Sequence, residues 1–366
     1  MKAAAVRVGS VVAFGVLPVV VAICMFVVAH PGSLAVDFHH ELYPEAQLVL
    51  DGENPFPPEG ADLSGGRNFI WPPLAAVLVG PLTALPLEAA DWAIAFLGIA
   101  CALASLWVVG VRDWRVYGAF ALWPQMIGEL RVSHLTPLLC LLIALAWRYR
   151  DVRFAPGLAI GLGGAIKFFL WPLGVWLVAI GRAHEALVAA VVAGASLLLI
   201  LPFTSLSTYL ETLVDLGRTF DHLSYSPFGL LVQSGAPDWL ARTATLLLGA
   251  SLLVLCWRRA SLALAVAAAL VLSPIVWIDY FALAAVPLAV VRPRLSPIWL
   301  VPLVTWGLTS DAETVAGAVR VLAAFAVVLA AAALWEQNGR ATRPATRSSA
   351  RAGTASRDAP DPRPAA

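Results

Sequence analysis

Apolar runs recur along almost the whole chain, broken by short turns that carry arginine, proline or glycine. A helix needs about 20 apolar residues to cross a ~30 Å hydrocarbon core. The runs at 8–29, 87–111 and 315–335 have that length. Shorter runs, several bounded by proline, predict further helices over 117–127, 135–147, 155–167, 170–180, 187–203, 240–257, 262–277, 281–291 and 297–307. Between the first and second long runs lies residues 30–73, the longest polar interval before the C-terminal tail. It leads into 70–86, IWPPLAAVLVGPLTALP, which has prolines at both ends and Gly80-Pro81 inside. That stretch is too short and too broken for a clean crossing, and it predicts a re-entrant or membrane-surface segment. The tail 336–366, rich in Ala, Arg, Pro and Ser, reads as disordered.

Orientation follows from the arginines, which concentrate in the cytoplasmic loops of helical membrane proteins. Arg112 and Arg115, Arg148, Arg150 and Arg153, Arg182, Arg258 and Arg259, and Arg292 and Arg294 all fall in turns. Placing them all inside gives one path of about twelve crossings with both termini cytoplasmic, provided that 70–86 does not cross. The expected fold is therefore an all-α polytopic bundle over 1–335 with a large first external loop, in the cell membrane. The unusual polar residues then share the external side: the 30–73 loop, 128–134, the end of the helix at Lys167, 204–238, 277–280 and 310–313.

Composition supports the membrane reading, with 60% hydrophobic and 13% charged residues, against about 25% charged in soluble domains. A net charge of +1 gives no field to attract nucleic acid. Cys24, Cys101, Cys140 and Cys256 all lie inside apolar runs without metal-ligand spacing, and read as small buried hydrophobes. Lys2 and Arg7 before a long apolar run predict an uncleaved first span. No zinc-protease, dinucleotide or phosphate-loop motif is present. Neither a metal nor another cofactor is expected.

The candidate chemistry sits at the outer ends of the spans. Asp37 just follows the first span, where a carboxylate is placed either to act as general base on an acceptor hydroxyl or to cap a helix over 38–50. His39 and His40 form a pair without a third metal ligand. Lys167 is the only lysine besides Lys2, flanked by apolar residues in GLAIGLGGAIKFFLWP. A buried ammonium needs an anion, and a lipid phosphate suits a compact charge at a helix end. Gly157, Gly161 and Gly164 on the same helix predict close packing. Glu129 and Arg131 read as a local ion pair, with contact to a sugar hydroxyl as the alternative; Ser133 and His134 share their turn. Trp277 and Asp279 suit either sugar binding or an interfacial anchor. Leu206–Phe220 predicts an amphipathic interfacial helix.

The order of motifs resembles a known family. Asp37-Phe38 is followed by Tyr43, Ala46, Val49-Leu50, Gly52 and Asn54-Pro55-Phe56. Trp71-Pro72-Pro73, Thr136-Pro137-Leu138-Leu139, AIGLGGAIKFFLWPL and LSPIVW.DY come later in the chain. Together they resemble glycosyltransferase family 87, the polyprenyl-phosphate-mannose-dependent mannosyltransferases of the GT-C superfold in actinobacteria. The resemblance implies that Asp37 is the catalytic base and that Lys167 holds the donor phosphate; Arg67, an arginine of the same external loop, is the candidate to assist it. His39, Tyr43, Glu129, His134, Trp277 and Asp279 are the substrate-binding candidates. It also implies a polyprenyl-phosphate-mannose donor and a glycolipid or glycan acceptor from the cell envelope. The chain departs from the family pattern at 128–134, where a Gly-Gln-x-Asn is common, and at Asp279, where a histidine is common. Those departures bear on sugar or acceptor identity rather than on fold. A lipid or sugar transporter, or an inactive scaffold for envelope assembly, are the alternative classes. A transporter would line a mid-membrane path with polar groups, whereas here they cluster on one face.

Overall fold

The computed structural model describes residues 2–30, 32–58, 60–63, 71–309 and 311–341. The described residues are helical, with no strand among them. Five helices are long and apolar enough to cross a bilayer: Val6–Ala29, Leu87–Val108, Ala183–Ile200, Asp238–Arg259 and Val315–Asn338. A sixth crossing is available if Pro124–Val132 and Thr136–Arg148, bent by 119° to each other, count as one. This content fits a multi-pass membrane protein.

The remaining apolar helices are short: Pro73–Ala84, Ala155–Ile166, Phe168–Ala179, Leu262–Leu272 and Ile278–Val291. The 12 residues of Ala155–Ile166 rise only about 18 Å, well under the ~30 Å hydrocarbon core. A count of twelve full-length crossings therefore does not follow from helix lengths. Pro73–Val79 continues into a 3-10 turn, Gly80–Ala84, and is likewise too short to span on its own. The last helix runs on past Trp335 to Ala341, into residues that composition alone assigns to the tail.

Small residues set the closest packing. A Cβ on Gly157 would meet the Glu185 carbonyl oxygen at 2.5 Å, and one on Gly161 would meet Val192 Cβ at 2.7 Å. Helix Ala155–Ile166 therefore lies directly against Ala183–Ser196 because its facing positions lack side chains. Gly161→Val is expected to cost about 1–3 kcal/mol by overpacking. Gly174→Ala, in a position with nothing within 4 Å, should leave the thermal midpoint in detergent unchanged or raise it.

Asp113 caps Trp114–Ala121, accepting from the Arg115 backbone N–H at 3.2 Å and from its guanidinium at 2.9 and 2.8 Å. It also accepts from the Leu295 N–H at 3.0 Å, tying two distant turns together. The Arg115 hydrogen bond, helped by those backbone donors, holds the Asp113 carboxyl down at about 2 despite partial burial. A depressed folded-state value means that this contribution is complete above the ordinary carboxylate range. It is lost as pH falls through about 2. Asp113→Ala is expected to lower stability by about 1–2 kcal/mol through loss of the cap, read as a drop in thermal midpoint at neutral pH.

Candidate active site

Three breaks between short helices converge on one cavity. The first is Ser133–Leu135, between Pro124–Val132 and Thr136–Arg148. Ser133 and Leu135 both take left-handed backbone, with φ of 59° and 62°. A leucine there is strained, and such strain tends to be kept at functional sites. It turns the chain sharply and leaves His134 at the corner. The second break is Lys167, extended at φ −146° after Ala155–Ile166. The third is 273–277, between Leu262–Leu272 and Ile278–Val291, where Pro274 removes a backbone donor. Its freed backbone is satisfied from the second long loop: Val276 N–H donates to Ser224 Oγ at 2.9 Å, and Tyr225 N–H to the Val276 carbonyl at 2.8 Å. Non-helical backbone inside a membrane protein needs such partners.

The first loop is laid across these breaks. Ala35 N–H donates to the Leu130 carbonyl at 3.0 Å, which holds the loop on Pro124–Val132. Two residues later, Asp37 begins a π-helical turn, Phe38–Leu42. Its side chain makes no capping bond; its Oδ2 instead accepts from Nε2 of His134. Of the two roles that the sequence leaves open for Asp37, capping is excluded by this geometry. On the far side of the imidazole, Nδ1 lies 3.4 Å from Asp279 Oδ2. That same carboxylate oxygen accepts from Thr136 Oγ1 at 2.8 Å. A carboxylate, an imidazole and a second carboxylate thus form a line from the cavity into the core.

Lys167 approaches from the other wall. Its ammonium donates to the Tyr280 hydroxyl at 2.5 Å. It lies 4.1 Å from the Trp71 ring centre and 3.8 Å from that of Tyr280. Phe169 stacks on Tyr280 at 5.1 Å and 10°, fixing the ring. No carboxylate among the described residues forms a salt bridge with this cation. Asp37, His134 and Lys167 all line one cavity of about 470 Å³, with Glu41, Trp71, Arg131 and Trp277. Leu213, Leu216 and Phe220 complete its apolar wall. They belong to a helix that spans Leu206–Phe220, the amphipathic element expected there.

The other candidates are placed differently. Asp279 is only 1% exposed and reaches the cavity through His134, so it is not a solvated interfacial anchor. Glu129, 3% exposed, sits behind the cavity with Asp279, His134 and Lys167 as charged neighbours. It does not pair with Arg131: two positions apart on a helix they face different ways, and Arg131 turns to the cavity. His39 is not brought to the cavity; its Nδ1 bonds Asp91 at 2.7 Å. Tyr43 also points elsewhere, donating to the Leu85 carbonyl at 2.8 Å. Arg67 lies outside the described residues. No metal-ligand cluster occurs among the described residues. Glu41 and Tyr280 are cavity residues to which sequence reasoning gives no role, and Arg131, read there with Glu129, lines the cavity without it. A carboxylate four residues after Asp37 is the one sequence signal that would have drawn attention to Glu41.

Glycosyltransferase family 87 is the family whose model matches, over residues 69–278, which is more than half of the chain. The chain belongs to glycosyltransferase family 87. That membership points to a membrane glycosyltransferase. The matched region carries Trp71, His134, Lys167 and Trp277, whereas Asp37 precedes it and Asp279 and Tyr280 follow it. Comparison with curated proteins and with solved structures finds no match.

Proposed function

We propose that this family 87 glycosyltransferase moves a mannosyl or related hexosyl group from a polyprenyl-phosphate sugar to a glycolipid or glycan acceptor at the external membrane face. The observation that carries the reading is the shared cavity. Asp37 and Lys167 face the same space, and Lys167 is a buried cation with two aromatic faces and a phenol but no salt-bridged carboxylate among the described residues.

In this mechanism Asp37 takes the proton from an acceptor hydroxyl, and the freed oxygen attacks the anomeric carbon of the donor sugar. The bond from that carbon to the phosphate oxygen breaks, and polyprenyl phosphate leaves with the electron pair. Lys167 stabilises the charge on the leaving phosphate. Arg131 on the cavity wall is a second cation in reach of the site, and Arg67 stays a candidate for the same task. One displacement inverts the anomeric centre. His134 holds the Asp37 carboxylate, and Asp279 with Thr136 holds His134. Trp277, edge-on to Phe220 at 5.9 Å, offers an aromatic face for a pyranose. No metal or cofactor enters the scheme. Both termini are cytoplasmic in this proposal, and the short broken helices close the bundle around the outer-leaflet site.

The test supplies purified protein in liposomes with polyprenyl-phosphate-mannose and a lipid extract of the source membranes. Labelled mannose should appear in a new lipid or glycan product with inverted anomeric configuration. A product with retained configuration, or transfer only from a nucleotide sugar, would contradict the proposal.

A further inference from the structure

The turn that carries Asp37 cannot rotate. Phe38 and Leu42 are fully buried, and His39 is anchored to Asp91 on the long helix Leu87–Val108. With those faces committed, the cavity side of the turn presents Asp37 and, four residues on, Glu41. In a π-helical turn that spacing is nearly one full revolution, so both carboxyls project the same way. Trp71 ties this face to the donor side: its ring takes the Lys167 ammonium at 4.1 Å, and its indole N–H acts on the Glu41 carboxyl. The mechanism above leaves Glu41 without a task.

We propose that Glu41 is a second acceptor-binding residue, whose carboxyl hydrogen-bonds the sugar hydroxyl adjacent to the one that Asp37 deprotonates. The acceptor is accordingly a sugar with two neighbouring free hydroxyls at the reacting end. This rests on the assignment of Asp37 as base.

The surroundings favour a proton on Glu41. Burial, then the nearby Asp37 charge, push it up to about 8; His134 and Trp71 oppose this, and Glu45 adds to it. Lys167 and Arg131 are the cations on the facing walls of the cavity. A protonated carboxyl both donates and accepts, which matches a hydroxyl group. It also adds no second negative charge where Asp37 must stay a base. The sign follows: the hydrogen bond that Glu41 donates is mostly present at neutral pH and is lost as pH rises through about 8, leaving a second negative charge beside Asp37.

Two measurements on the full-length protein test this. Infrared difference spectra of wild type against Glu41→Gln at neutral pH should contain a protonated-carboxyl band that titrates away in the alkaline range. In the liposome transfer assay, wild type should lose acceptor affinity above about pH 8. Glu41→Gln, whose amide still donates and accepts, should raise the neutral-pH acceptor KM less than Glu41→Ala does and should lose that alkaline limb. Glu41→Ala should raise the acceptor KM about 10-fold with the donor KM unchanged. An absent carboxyl band, an unchanged alkaline limb in Glu41→Gln, or an unchanged acceptor KM in Glu41→Ala overturns the role of Glu41 and leaves the sugar-transfer reading intact. Wild type that transfers nothing at any pH overturns that reading, and Glu41's acceptor role with it.

Discussion

Asp37→Asn protein should transfer sugar about 1,000-fold more slowly than wild type, the loss expected when a positioned base is removed. Asparagine has the same shape, and its oxygen still accepts from His134, so the loop should stay on Pro124–Val132 through Ala35 and Leu130. Donor affinity should not change, because Lys167, the residue proposed to hold the phosphate, approaches from the other wall of the cavity. A fall in kcat without a change in donor KM is the signature, since the interaction lost is made with the reacting hydroxyl and not with the donor. His134→Gln should give a smaller fall, about 10–100-fold, because Asp37 remains but is no longer held by a ring anchored to Asp279. If Asp37→Asn turned over at the wild-type rate, the base would have to be sought elsewhere.

Lys167→Met should fail in the complementary way, raising the donor KM by about 10–100-fold, the value of a charge-assisted hydrogen bond. The methionine fills the space between Trp71 and Tyr280 but offers the phosphate no donor. Lys167→Arg should not restore binding. The ammonium sits within 3.8 Å of the Tyr280 ring centre and 2.5 Å of its hydroxyl, a space shaped for a compact charge. A planar guanidinium is larger and spreads its donors in a fork. Tyr280→Phe keeps the ring face and removes only the phenol, so it should show a weaker version of the same donor defect. Equilibrium binding of a labelled polyprenyl phosphate separates these effects from turnover. Unchanged binding by Lys167→Met would exclude a phosphate role for this lysine.

Much of the architecture was legible in the chain because hydrophobic length reports directly on membrane crossing. The first span, the helix that begins at Leu87 and the helix that begins at Val315 follow from apolar runs alone. Leu206–Phe220 was legible from its amphipathic period, and the glycines of 157–164 from their spacing. Lys167 stood out because a lone lysine in an apolar run has no local partner.

What the sequence could not carry was rotation and long-range pairing. His39 and Tyr43 look as exposed to chemistry as Asp37 does. Only the buried faces of Phe38 and Leu42 decide which side chains of that turn meet the cavity. The His134–Asp279 contact joins residues far apart in sequence across two helix breaks. Nothing local to either residue announces it. The same applies to Glu129 and Arg131, whose proximity in sequence suggests a pair that helical geometry separates. Helix breaks also defeat counting, since an extended residue such as Lys167 leaves two short helices where hydropathy sees two spans.

The most direct test of the central claim is a structure of the protein bound to polyprenyl-phosphate-mannose in a lipid nanodisc. The account predicts the phosphate within hydrogen-bonding distance of Lys167 Nζ and the anomeric carbon turned toward the Asp37 carboxylate across the same cavity. A donor phosphate bound away from Lys167, or a sugar whose anomeric carbon faces a wall without Asp37, would contradict it.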